Sequence, residues 1–230
     1  MVFQATLLLA GDQFMHKYKS FFFCCGLIMA VSEIWKQYCL TFLIGQGTYN
    51  WWYFPFQLCS IPMYLCLLLP WIRSERLRRI FLAFLMDYGL LGGIFAFFDT
   101  SGMHYSYLPL TIHSFAWHIL LIVLGIAAGL SQYADYSCHG YLGSACCYLF
   151  CCLLATLLNV SFHTLGTINM FYISPFLPMT QRFFKDIAKN LGNPAGILLY
   201  ILASMLGAGM FHLIWHQVSS HCTGTRSQEP

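Results

Sequence analysis

Residues 108–130 read Leu-Pro-Leu-Thr-Ile-His-Ser-Phe-Ala-Trp-His-Ile-Leu-Leu-Ile-Val-Leu-Gly-Ile-Ala-Ala-Gly-Leu, without one Asp, Glu, Lys or Arg. A helix rises about 1.5 Å per residue, so about 20 apolar residues cross the ~30 Å hydrocarbon core of a bilayer. This run is long enough, and the rest of the chain resembles it. Of 230 residues, 59% are hydrophobic and 8% carry formal charge, against about 25% charged in an ordinary soluble domain. So few polar side chains cannot cover a surface in water, and lipid must solvate most of the exterior. Backbone amides in lipid have to bond inside their own segment, which predicts helices.

Working outward from 108–130, five further apolar segments stand out, at 21–44, 55–72, 80–98, 140–162 and 194–217. The expectation is an all-α, polytopic transmembrane helical bundle of about six spans, forming a single membrane domain over residues 1–230. The longest connection, 163–193, contains Pro175 and Pro178 and then Arg182-Phe-Phe-Lys-Asp-Ile-Ala-Lys189. That stretch is amphipathic and predicts a helix lying in the interface. The first sixteen residues hold only a brief apolar stretch, Ala5 to Ala10, without the basic start and cleavage site of a secretory signal.

Basic residues predict the orientation, since loops rich in Lys and Arg stay in the cytoplasm. Arg73-Ser-Glu-Arg-Leu-Arg-Arg79 is the strongest such loop, and Lys17, Lys19 and Arg226 fall on its side. The balance is seven against three (Arg182, Lys185, Lys189), with Lys36 inside a span. Both termini are therefore expected in the cytoplasm, of a bacterial cytoplasmic membrane or of an endoplasmic reticulum. The run Trp51-Trp-Tyr-Phe54 marks the opposite interface. A net charge of +3 with no basic run among exposed aromatics speaks against nucleic acid as a partner. Membrane lipids are the expected partners, and nothing in the sequence speaks to the oligomeric state.

Ionisable groups at membrane depth are costly, about 2.5–3.5 kcal/mol each on insertion scales. Glu33 and Lys36 in the first segment and Asp87 in the third are such groups. Glu33 and Lys36 are three apart, share a helix face and can neutralise each other. Either they form a structural ion pair or, with Asp87, they line a polar site. His113 and His118 lie in the fourth segment and Cys59 in the second. A thiol activated by an imidazole is the minimal device for acyl transfer through a thioester; hydrogen-bonded core histidines are the plainer alternative. At about 1.5 Å per residue, Cys59 lies ~6 Å below Pro55, His113 ~6 Å below Pro109 and His118 ~13 Å below it. His212 and His216 are four apart, a spacing that suits a metal, but no acidic residue flanks them and no metal is expected. Most of the eleven Cys, the doublets Cys146-Cys147 and Cys151-Cys152 among them, lie in apolar runs where Cys packs as a small hydrophobe. Gly89, Gly92, Gly93, Gly207 and Gly209 suit close helix contacts.

Four stretches together resemble the YwaF-like family of integral membrane proteins, whose animal relatives include an ether-phospholipid acyltransferase. They are Pro55-Phe-Gln-Leu-Cys59, Tyr88-Gly-Leu-Leu-Gly-Gly93, the aromatic-rich approach to His118, and the stretch from Asn159 through Gly166-Thr-Ile-Asn-Met170 to Gly192-Asn-Pro194. Bacterial members read Pro-x-His-Leu-Cys at the first, so Gln57 stands at the family's His and Asp87 where an aromatic residue is usual. The family has seven spans, and here only residues 1–16 stand in place of the first. In the acyltransferase relatives the nucleophilic Cys directly follows the Pro, a position that is Phe56 here, while Cys59 fits the bacterial pattern.

The resemblance implies a phospholipid acyltransferase with Cys59 as the thiol nucleophile and His118 as its base, and His113 as the alternative imidazole. Asn159 and Asn169 would orient a head group or polarise the carbonyl. No soluble-cofactor motif occurs, and none is expected. Two other readings stay open: a carrier for a small polar solute built on Glu33, Lys36 and Asp87, and an assembly protein without chemistry of its own. No internal repeat of the kind common in carriers is visible.

Overall fold

The computed structural model describes the backbone from Val2 to Arg226 and the side chains of residues 18–220. Lys17, Arg226 and the Ala5–Ala10 stretch have their side chains outside that range. Every regular element among the described residues is helical: α1 (Val2–Tyr38), α2 (Ile61–Leu68), α3 (Glu75–Phe84), α4 (Leu90–Phe95), α5 (Leu108–Leu130), α6 (Cys138–Phe162), α7 (Phe184–Leu191) and α8 (Asn193–Arg226). Two π-helical turns extend this set: Cys39–Ile44 continues α1, and Leu85–Gly89 joins α3 to α4. The expectation of an all-helical membrane bundle holds.

Four of the six expected segments are helices long and apolar enough to cross a membrane: Tyr18–Ile44, Leu108–Leu130, Cys138–Leu165 and Asn193–Ser220. The other two differ from expectation. Helix in the second segment is confined to Leu58–Leu68, because Pro55 precedes a non-helical stretch and Pro70 lies just beyond the end of α2. The third segment starts at Glu75, capped by the Ser74 hydroxyl, which accepts from Leu77 N–H. It therefore carries Arg76, Arg78 and Arg79 in its opening turns.

This third segment is the centre of the molecule. Ala83, Phe84, Leu85, Met86, Asp87 and Tyr88 are all completely buried. One core lies between it and α1, α2 and α5 (Met29, Cys66, Leu121, Leu124). A second lies between it and α6, α8 and the long connection (Tyr148, Cys152, Met170, Phe171). Around these cores the outer faces of α1 and α8 are apolar and open, with Ile34 and Leu206 each 71% exposed. Surfaces of that kind belong against hydrocarbon chains.

The connection after α6 is only partly a surface loop. Ile168 to Phe171, Ile173 and Ser174 are buried inside the bundle, and amide side chains satisfy their backbone. Asn159 receives Met170 N–H at 2.7 Å and donates to Met170 O at 3.1 Å. Gln57 donates to Asn169 O at 3.0 Å and accepts from Phe171 N–H at 2.7 Å. Asn193 accepts from Met179 N–H and donates to Leu177 O. Irregular backbone is tolerated at membrane depth only when protein groups replace water in this way. The expected interfacial helix is α7. It folds back on α8 through Gly192, whose φ of +91° lies where a side chain would strain the backbone.

Close packing of α5 on the third segment generates a test. A Cβ on Gly125 would lie 2.8 Å from Leu90 Cβ and 3.0 Å from Leu85 O, and a backbone oxygen cannot swing aside. Gly125→Ala should destabilise by about 1–3 kcal/mol. Gly92→Ala meets nothing within 4 Å and should be neutral or stabilising. Thermal unfolding of the detergent-solubilised variants would check both.

Candidate functional site

Two buried polar sites occur among the described residues, on different sides of the central helix. The first grows from α1. Glu33, 4% exposed, lies 2.8 Å from the Lys36 ammonium, and its Oε1 also accepts from Gln37 Nε2 at 2.6 Å. Gln37 reaches across to Tyr53 O as well, tying α1 to the aromatic turn Trp51–Tyr53. The expected ion pair is present, and one turn of helix is what brings its members together.

Cys59 is half-buried in the 3-10 turn Leu58–Ser60 at the head of α2. Its carbonyl accepts from the Trp117 indole at 3.0 Å, which fastens the turn to α5. Cys59 packs against the core formed by α1, α2 and α5, and a ring contact between Trp35 and His113 joins α1 to α5. His113 lies against the rings of Trp117 and Trp35, at 5.6 and 5.7 Å, and neither of its buried nitrogens has a hydrogen-bond partner. A buried polar group left unmatched costs about 1–3 kcal/mol, and such groups often mark a ligand or catalytic role. His118 follows Trp117 directly. Its Nδ1 lies 2.8 Å from Ser114 O; with the proton on Nδ1, Nε2 becomes the basic nitrogen. No hydrogen bond joins Cys59 to either imidazole.

The buried turn at 169–172 closes this region from the other side. Gln57, two residues before Cys59, holds it, and Phe56 packs on Phe171 with ring centroids 5.8 Å apart. Phe171 and Tyr172 both have positive φ, 55° and 59°, a conformation rare for such residues and found where surrounding contacts enforce it. The two expected Asn residues separate in role. Asn159 is committed to the Met170 backbone and braces the turn. Asn169 accepts from Ser174 N–H, but its buried Nδ2 donor has no partner.

Asp87 is not in this group. No hydrogen bond or ion pair joins it to Glu33 or Lys36. It sits fully buried in the π-helical turn, 3.0 and 3.2 Å from His212 Nδ1, and it accepts from the Ser144 hydroxyl at 2.8 Å. His212 Nε2–H donates to Ser137 O at 3.0 Å. Three helices thus meet at one carboxyl, which shares a proton with an imidazole in a net-neutral unit. His216 points elsewhere, to Tyr136 O. Among the described residues no three His, Cys, Asp or Glu side chains gather as metal ligands.

Of the expected Glu33, Lys36, Cys59, His113, His118 and Asn169, only Glu33 and Lys36 are joined by an ion pair or hydrogen bond. The linking contacts, Trp117 to Cys59 and Gln57 to the 169–171 backbone, appear only in the fold. A single signal points to Gln57: a polar residue in an apolar run, two before the thiol. No protein-family model, no curated protein and no solved structure matches the chain.

The ion pair supplies a test by double substitution. Glu33→Leu or Lys36→Met alone strands a buried charge and should cost about 3–5 kcal/mol, while the double substitution should cost clearly less than the sum. Additive losses in thermal unfolding would mean that each residue answers to a different neighbour.

Proposed function

We propose that the chain is a membrane-embedded, thiol-dependent acyltransferase that moves acyl chains between phospholipids. The observation that carries this reading is the contact between the Cys59 turn and α5. Trp117 holds the Cys59 carbonyl, and the next residue is an imidazole whose Nδ1 is engaged by Ser114 O. In the first step His118 Nε2 takes the Cys59 proton and the sulfur attacks an ester carbonyl of a phospholipid. The ester C–O bond breaks, the proton passes to the departing lysophospholipid oxygen, and a thioester remains on Cys59. In the second step the hydroxyl of another lysolipid gives its proton to His118 and attacks the thioester, and the thiol is restored. The Asn169 Nδ2 donor is the group available to the carbonyl oxygen as it gains charge. His113, with both nitrogens unpartnered, binds the polar part of the acceptor. The resemblance to the YwaF-like family points the same way.

A carrier for a polar solute is the second reading, and the Asp87–His212–Ser144 unit favours it, since buried ionisable groups in spans mark proton and solute pathways. The two readings separate at the residue level. The enzyme requires Cys59 and not Asp87; the carrier requires the reverse.

With purified protein, a labelled lysophospholipid acceptor and a diacyl donor, acyl exchange should vanish in Cys59→Ala. It should fall about 10²–10⁴-fold in His118→Ala and about 10²–10³-fold in Asn169→Ala, as for loss of an oxyanion donor. Full exchange by Cys59→Ala would end the enzyme reading. We further propose that both termini and the 73–79 loop face the cytoplasm, because Lys19, Arg78 and Arg79 border one cavity at one end of the bundle and basic ends stay inside. In a Cys-free background, Glu75→Cys should resist an impermeant thiol reagent applied to intact cells, and ready labelling would invert the topology.

A further inference from the structure

The cavity at the basic end takes no part in the acyl-transfer site and carries an inference of its own. It has a volume of about 90 Å³ and opens between the middle of α1, the end of α2, the start of α3 and the turn after α5. Lys19, Arg78 and Arg79 contribute to its wall, with Glu75 as the one carboxylate among the lining residues. Neither arginine makes an ion pair with a described residue, and Arg78 Nε is buried without a hydrogen-bond partner. Two guanidinium groups against one lining carboxylate, with an Arg78 donor unmatched, favour an anionic occupant. Arginine forks suit phosphate oxygens in particular.

The other lining residues say what the anion is attached to. Phe22, Leu69 and Leu82 also line the cavity, and all three are buried members of the first core. A site with cations at the mouth and hydrocarbon walls at the end of a membrane bundle matches a molecule that is charged at one end and apolar just below. We infer that this cavity binds the phosphate of an anionic phospholipid, with the glycerol and the first acyl methylenes against Phe22, Leu69 and Leu82. A soluble phosphate ester offers the same anion but has no chain to match the apolar part of the lining. Basic pockets between spans, next to a leaflet rich in anionic lipid, are where such head groups collect.

The test uses the whole protein in an uncharged maltoside detergent and reads the melting temperature against added ligand. Dioctanoyl phosphatidic acid should raise it saturably. Dioctanoyl phosphatidylcholine, which carries a compensating cation, should not, and glycerol 3-phosphate should need about tenfold more ligand or worse, having no chains to bury. Arg78→Gln with Arg79→Gln should weaken the apparent Kd for phosphatidic acid about tenfold or more. Should the double variant fold poorly, Glu75→Gln keeps the question open to refutation, because removing the lining carboxylate should tighten binding. An equal response to phosphatidylcholine, or an unchanged Kd in all of these variants, overturns the site. An equal response to glycerol 3-phosphate overturns the lipid as its source.

Discussion

A polar group inside a bilayer cannot fall back on water, and each exception to plain helix in this molecule is organised around that constraint. Where the chain is helical, the backbone satisfies itself. Where it is not, side-chain amides replace the solvent: Gln57, Asn159 and Asn193 between them supply bonds to residues 169–179. Charges follow the same rule. Glu33 has Lys36 and Gln37, and Asp87 has His212 and Ser144. Against this background the few unmatched groups stand apart. They include both His113 nitrogens, Asn169 Nδ2 and the hydroxyls of Tyr88 and Tyr148.

The central helix shows how packing and chemistry are joined. A helix buried on all sides can hold a carboxyl only if its neighbours bring donors, and α6 and α8 do so at the same level. The π-helical turn widens the coil at that level, and such turns cluster at functional sites. Asp87 thereby ties α6 and α8 to the centre, while Gly125 lets α5 close on it from the other side. The two cores are separate packing problems that share one wall.

The long spans were legible because apolar runs of about 20 residues, nearly free of charge, suit little besides a bilayer. Helix α7 was legible from the amphipathic pattern of residues 182–189. The short α2 was less so: Pro55, Pro62 and Pro70 lie within or beside one apolar run, and hydropathy alone counts them as span. Grouping of the polar residues was legible only at short range. Glu33 and Lys36 could be paired from their spacing, but the carboxyl of Asp87 meets a ring 125 residues away, a consequence of helix order that no local pattern encodes. His212 and His216 show the same limit. They share a helical spacing, yet one faces the core and the other the turn after α5. Burial of residues 168–171 in the 163–193 connection depends on amides of Gln57 and Asn159, which no local pattern indicates.

Gln57 stands two residues before Cys59 and grips the turn at 169–171 by two hydrogen bonds. The covering turn and the thiol are therefore not independent parts. If the 169–172 turn lifts, it must either break both bonds, baring a polar amide in an apolar setting, or carry the Pro55–Cys59 segment with it and slacken the Trp117 clasp on the Cys59 carbonyl. Gln57 acts as a latch: the position of the buried turn and the position of the Cys59 carbonyl under Trp117 become one mechanical variable.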